Sequence, residues 1–200
     1  MVYLDFGIEH IPWPGPGDIL FKDSRDTKRV AIIGGSSKSI GAYAVGYRDA
    51  AILIMNNIDS YQPFLDLIFY PIAFLYSHAT ELTIKELILL HARHSGVDVS
   101  PIITHDLMNL WQLSRRIIEE YSDGEDIDFL DPSESIIKEL SEIKPVGEAF
   151  RYPTDTKGNE LIPEDSGIDV VNFSEVMEGL LNALEGSVDW LEDLLRNSEP

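Results

Sequence analysis

The sequence predicts a mainly α-helical bundle with a small N-terminal β-hairpin, divided into an irregular arm and hairpin over residues 1–40 and a helical domain over residues 41–200. Three observations carry this. Residues 70–96, YPIAFLYSHATELTIKELILLHARHSG, are nearly all apolar over a length only a helix fills. Three further segments repeat apolar side chains every three or four residues. Short β-branched runs bounded by turn residues occur only near the N-terminus.

The elements follow in order. Residues 1–17 contain PWPGPG, which forbids regular pairing. Residues 19–22 and 29–33 read as two short strands joined by a polar turn, a hairpin too small to stand unless it packs on the helices. From Gly41 to Ile58 the pattern is helical, with Ala42, Val45, Ala50, Ile54 and Ile58 apolar, and DSYQP breaks it. The principal helix runs from about Pro63 to His94, with Pro71 a point for a kink and Gly96 at the C-cap. Another starts after Thr104, a capping residue, with Asp106 in its first turn, and reaches about Tyr121. An acidic loop leads to the short helix PSESIIKELSEI. A long connection containing AFRYPTDTKGN follows, and a last helix over residues 173–196 carries Val176, Leu180, Leu184, Val188, Leu191 and Leu195.

Composition narrows the function. A 44% hydrophobic chain of 200 residues can bury a sizeable core, and the absence of cysteine excludes disulfides and thiolate metal sites. The N-terminus has no basic-then-apolar signal, and the longest apolar run, residues 67–76, is too short to span a bilayer, so the reading is cytoplasmic, with no membrane partner. The net charge of −20 opposes attraction to nucleic acid. It is unevenly spread: Lys22, Arg25, Lys28, Arg29, Lys38 and Arg48 against Asp23 and Asp26 make residues 20–48 net +4, leaving −24 elsewhere. Such a segment reads first as a contact with the acidic body, within the chain or across a dimer.

At 100° per residue, His78, Glu81 and Lys85 share a stripe about 60° wide on the principal helix. Glu81 and Lys85 stand in the favourable i,i+4 orientation. The order HATELTIKEL, then HDL opening a helix, then FRYP with Asp and Gly after it, resembles the HEPN superfamily of helical bundles over residues 63–160. That resemblance implies a HEPN-like bundle, a homodimer, and one of several roles: ribonuclease toxin or defence factor, partner of a small nucleotidyltransferase, or non-catalytic member. Its nucleases carry an Arg followed four to six residues later by a His. Here His10, His78, His91, His94 and His105 follow no Arg at that spacing, so ribonuclease activity is not expected.

His78, Glu81, Lys85, His105, Asp106, Arg151 and Tyr152 are the candidate site residues. Two readings stand beside each other. In one, Arg151 and Lys85 recognise a phosphate or carboxylate in an inter-helix pocket while the acids orient them. In the other, the same charges form a buried ion-pair network that fixes helix register, and His105 and Asp106 only cap a helix. A metal is not expected, because carboxylate-bridged bundles need Glu-x-x-His on two helices and only the reversed His78-x-x-Glu81 occurs. VAIIGGSSKSIGAYAV lacks the middle glycine of a dinucleotide turn, no Tyr-x-x-x-Lys follows it, and no cofactor is expected. The expectation is a non-catalytic binding or regulatory protein in a stress or defence module, with an anionic or nucleotide ligand or a partner protein. The rival is a ribonuclease or nucleotide-processing enzyme with a non-standard site.

Overall fold

The computed structural model describes residues 13–21, 26, 28, 30–98, 104–122, 127–143, 149–162 and 167–198. Helix α1 (Ile40–Met55) starts where Ser39 turns out of the glycine- and serine-rich run, its Oγ accepting from the Ala42 amide at 3.1 Å. After a 3-10 segment (Ile58–Phe64), helix α2 (Leu65–Ser95) passes through Pro71 in its second turn and ends at Gly96, whose φ of 72° fits the left-handed cap. Arg93 and His94 in the last turn complement the helix dipole there. Helix α3 (Leu107–Ser122) is capped by Asp106, whose Oδ1 accepts from Asn109 N at 3.1 Å. Thr104 stands one step further out and accepts from Asp106 N, so the capping residue is Asp106 rather than Thr104. Helix α4 (Leu130–Glu142) and helix α5 (Val170–Ser198) complete the bundle, α5 opening on Asp169, which accepts from Val171 N and Asn172 N.

Helix α2 lies at the centre, packed most extensively on α1, then on α5 and α3. Its Ile72, Tyr76, Ile84, Leu87 and Ile88 meet Trp111 of α3, Ile137 of α4 and Leu180, Leu181 and Leu184 of α5 in one core. Enclosure on three sides buries hydroxyls as well. Ser77, Thr80 and Thr83 return theirs to the carbonyls of Ala73, Tyr76 and Ala79, four residues back, so no donor is stranded. On α5 the inward positions include Met177 and Leu181, while Val176 faces out. Among the described residues no helix is long and apolar enough to cross a membrane.

The N-terminal hairpin is not formed among the described residues. Residues 19–21 and 30–33 are irregular and their large apolar side chains exposed, Leu20 at 89% and Ile32 at 87%; residues 22–25, 27 and 29 lie outside the described set. Two short strands with no third strand and no helix beneath them have too little to bury. Immediately before α1 stands a 3-10 turn (Gly35–Lys38).

The entry to α1 sets a steric constraint. The Glu86 carboxylate of α2 accepts from the Gly41 amide, and a Cβ at residue 41 would overlap it. Five residues on, Gly46 faces open space. Gly46→Ala should therefore raise stability by up to about 1 kcal/mol through helix propensity. Gly41→Ala, which must displace a half-buried carboxylate, should lower it. Paired urea denaturation curves check both signs.

Candidate functional site

One stripe of α2 carries the half-buried Phe74, His78 and Glu81 and the buried Lys85, one per turn. The His78 ring lies flat on Phe74 (centroids 5.6 Å apart, planes 10° apart) and edge-on to Tyr47 of α1 at 4.5 Å. Burial between these rings holds the imidazole below its ordinary pKa; Glu81 opposes the shift, while Lys85, Arg151 and His105 add to it. His78 thus sits in an aromatic slot that favours its neutral form.

One turn on, Lys85 is 7% exposed, and its Nζ donates to Glu81 Oε1 at 2.6 Å. The same oxygen lies 3.0 Å from His105 Nδ1, which the start of α3 holds out in solvent. Glu81 is thus the hub of a three-residue network. Asp106 turns away from it to cap α3. Arg151 is exposed, on the loop after residue 149, with its guanidinium carbon 5.6 Å from the ring centres of both Phe74 and Tyr152. Of the seven candidates, Glu81, Lys85 and His105 form the network; His78 stands beside it in its aromatic slot; Arg151 and Tyr152 flank it; Asp106 stands apart.

Beyond Arg151 opens a groove the sequence did not reveal. Its volume is about 1230 Å³, between the 3-10 segment, the start of α2, the loop 149–162 and the start of α5. Phe69, Tyr70, Phe150 and Tyr152 give it an aromatic floor, and Asp59, Asp66, Glu160 and Asp169 place four carboxylates around it. Among the described lining residues Arg151 is the one cation, and no histidine is present. The loop is held by Asp155, whose carboxylate accepts from the amides of Lys157 and Asn159 and from Asn159 Nδ2, closing a turn with one antiparallel bridge, Thr154–Glu160. Those bonds, Asn159's first, keep the Asp155 carboxyl below its usual range. The FRYP motif was the one signal for this groove, since the wall facing it, at residues 58–70, lies some eighty to ninety residues away in sequence.

Two arginine clamps also went unread. Arg48 of α1 reaches Glu178, Asn182 and Glu185 of α5, and Arg115 of α3 gathers Glu119, Asp131 and Glu134. Both tie helix to helix and leave the groove untouched. Among the described residues no group of three His, Asp or Glu side chains is placed to hold a metal ion. A scan against protein-family models finds no match, and searches of curated proteins and of solved structures find no similar chain.

Three outcomes are expected. Glu81→Ala strands the buried Lys85 ammonium and should destabilise the fold by roughly 3 kcal/mol, whereas the double change Glu81→Leu with Lys85→Met should cost far less than the sum of its parts. Arg151→Ala, at an exposed position, should stay within about 0.5 kcal/mol. Thermal denaturation of these three variants, with the single changes Glu81→Leu and Lys85→Met beside the double, decides. For His78, a folded pKa below 6.5 means its contribution to stability is complete above the unfolded value and lost as pH falls through the folded one. The melting temperature should drop as pH is taken from 7 to 5, and His78→Phe should drop less over that interval.

Proposed function

We propose that this chain is a non-catalytic, dimeric HEPN-like binding or regulatory protein of a stress or defence module, and that its ligand is a nucleotide bearing a single phosphate, seated with that phosphate on Arg151. The observation that carries the reading is the position of Arg151: exposed at the mouth of the groove and backed by Phe74 and Tyr152. A guanidinium so placed offers a planar, charge-assisted contact to an anion. The aromatic floor offers a stacking surface for a base, and the carboxylates offer acceptors for ribose hydroxyls and exocyclic amines. Four carboxylates against one cation also disfavour a triphosphate or a polynucleotide.

Binding rather than catalysis is supported by how the titratable groups are spent. Glu81 is committed to Lys85 and His105, and His78 is enclosed between rings. One observation favours the rival reading: His105, exposed and held by a carboxylate, has the arrangement of an oriented general base. An enzyme using it would be a ribonuclease or nucleotide-processing protein with a non-standard site.

With adenosine and guanosine monophosphates in turn, the wild type should show a melting temperature that rises with ligand concentration. Arg151→Ala should lose that rise while melting normally without ligand, and the nucleotide should be recovered unchanged. Turnover of nucleotide or RNA that disappears in His105→Ala would replace this reading with the enzymatic one. Light scattering should give twice the 22.5 kDa chain mass.

A further inference from the structure

The four rings of the groove floor are not equally open. Phe69 and Phe150 are 8% and 4% exposed and meet edge to face, ring centres 6.2 Å apart, so they belong to the core. Tyr70 and Tyr152, which neighbour them in sequence, are 43% and 56% exposed and are the rings a ligand can reach. The guanidinium of Arg151 already lies over Tyr152, its carbon 5.6 Å from the ring centre. Tyr70 is therefore the platform left for a base. The Phe69–Phe150 contact also pins the two walls to each other, since Tyr70 follows one of these rings in sequence and Arg151 the other.

Stacking accepts any base, because each has a π-face, so selection among bases has to come from hydrogen bonds along their edges. Asp66 stands one turn before Tyr70 on α2 and lines the same groove. Residues four apart on a helix have Cβ atoms ~5–6 Å apart, and long helical side chains lean back over the preceding turn. A base lying on Tyr70 thus has an edge within reach of the Asp66 carboxylate. Asp66 is exposed and its carboxylate holds no hydrogen bond or ion pair among the described residues, whereas Asp169 spends Oδ1 on the amides that open α5. An ionised carboxylate can only accept. Guanine presents two neighbouring donors, N1–H and the 2-amino group, with no acceptor between them. Adenine and cytosine set a ring-nitrogen acceptor beside their amine, and uracil flanks its one N–H with carbonyl oxygens, so each of these turns a lone pair toward the carboxylate.

We infer that the groove selects a guanine nucleotide, its base stacked on Tyr70 and its N1–H and 2-amino group held by Asp66. This rests on the nucleotide reading proposed above, in which Arg151 takes the single phosphate. Tyr70 supplies affinity common to all bases, and Asp66 supplies the discrimination. A base that turns an acceptor toward Asp66 loses a bond, meets a repulsion and leaves the carboxylate desolvated and unpaired.

Isothermal titration calorimetry at pH 7 with guanosine, inosine and adenosine monophosphates tests this. The wild type should bind guanosine monophosphate roughly tenfold or more tightly than adenosine monophosphate. Inosine monophosphate, which keeps N1–H and lacks the 2-amino group, should fall between them. Asp66→Asn sets a donor beside an acceptor, the complement of the adenine edge, and should turn the preference toward adenosine monophosphate. Tyr70→Ala should weaken both nucleotides about fivefold or more while their ratio stays as in the wild type. Both positions are exposed, and each variant should melt close to the wild type. Equal binding of the guanine and adenine nucleotides, or a guanine preference that survives Asp66→Asn, would overturn guanine selection; loss of that binding in Arg151→Ala would then leave the nucleotide reading standing. A wild type that binds none of the three would overturn both.

Discussion

Helix α2 is enclosed by three other helices, and the rest of the architecture depends on satisfying its polar atoms from inside. An unpaired polar group out of water costs more than any single packing contact returns. Three hydroxyls bond backward along the helix, the Tyr76 hydroxyl meets Ser174 Oγ of α5 at 2.8 Å, and Glu86 takes the Gly41 amide of α1. Each bond to a neighbour also fixes where that neighbour lies. The Glu86 contact sets the height of α1, and the Tyr76 contact sets the start of α5. Burial pushes the Tyr76 phenol up to about 12, which keeps it a neutral donor or acceptor at any ordinary pH.

The acidic composition adds a second constraint. With thirty-five acidic residues against fifteen basic, like charges must face one another somewhere, and the arginines are spent where helices would otherwise repel. Arg48 sits between Glu178 and Glu185, and Arg115 bridges α3 to α4, with Glu134 also accepting from Trp111 Nε1 at 3.2 Å. Burial opposes the charge on Arg48, yet its carboxylate partners outweigh that and raise its pKa. A lysine would give one point of contact where a guanidinium makes several.

The helices were legible because their apolar spacing is local information: all five stand within a few residues of where periodicity placed them. The Glu81–Lys85 pair was legible for the same reason, being four residues apart on one helix. The hairpin does not appear among the described residues, because β-branched runs mark strands only when something covers them, and coverage is not local. The groove joins the start of α2 to a loop some ninety residues on, the Arg48 clamp spans more than a hundred residues, and the Arg115 clamp crosses from one helix to the next; neither spacing nor composition encodes which Glu of α5 meets Arg48. Arg151 shows the limit clearly. Its place after an aromatic in FRYP marked it as important, but whether it faced Glu81 or an open groove depended on the course of the loop that carries it.

That course divides the site into two halves with different freedom. Glu81, Lys85 and His78 are inside the packing, and drawing one toward a ligand would strand another in low dielectric. Arg151 and Tyr152 ride on a loop stiffened by Asp155 and outside the helices, where a side chain can change partner without unmaking the core. On the reading proposed above, affinity and specificity at this face would come from residues 149–162 and the carboxylates opposite them. The buried network supplies the rigid wall against which that loop is set. Substitution on the loop can reshape the groove while the bundle stays as it is, whereas substitution in the network changes stability first.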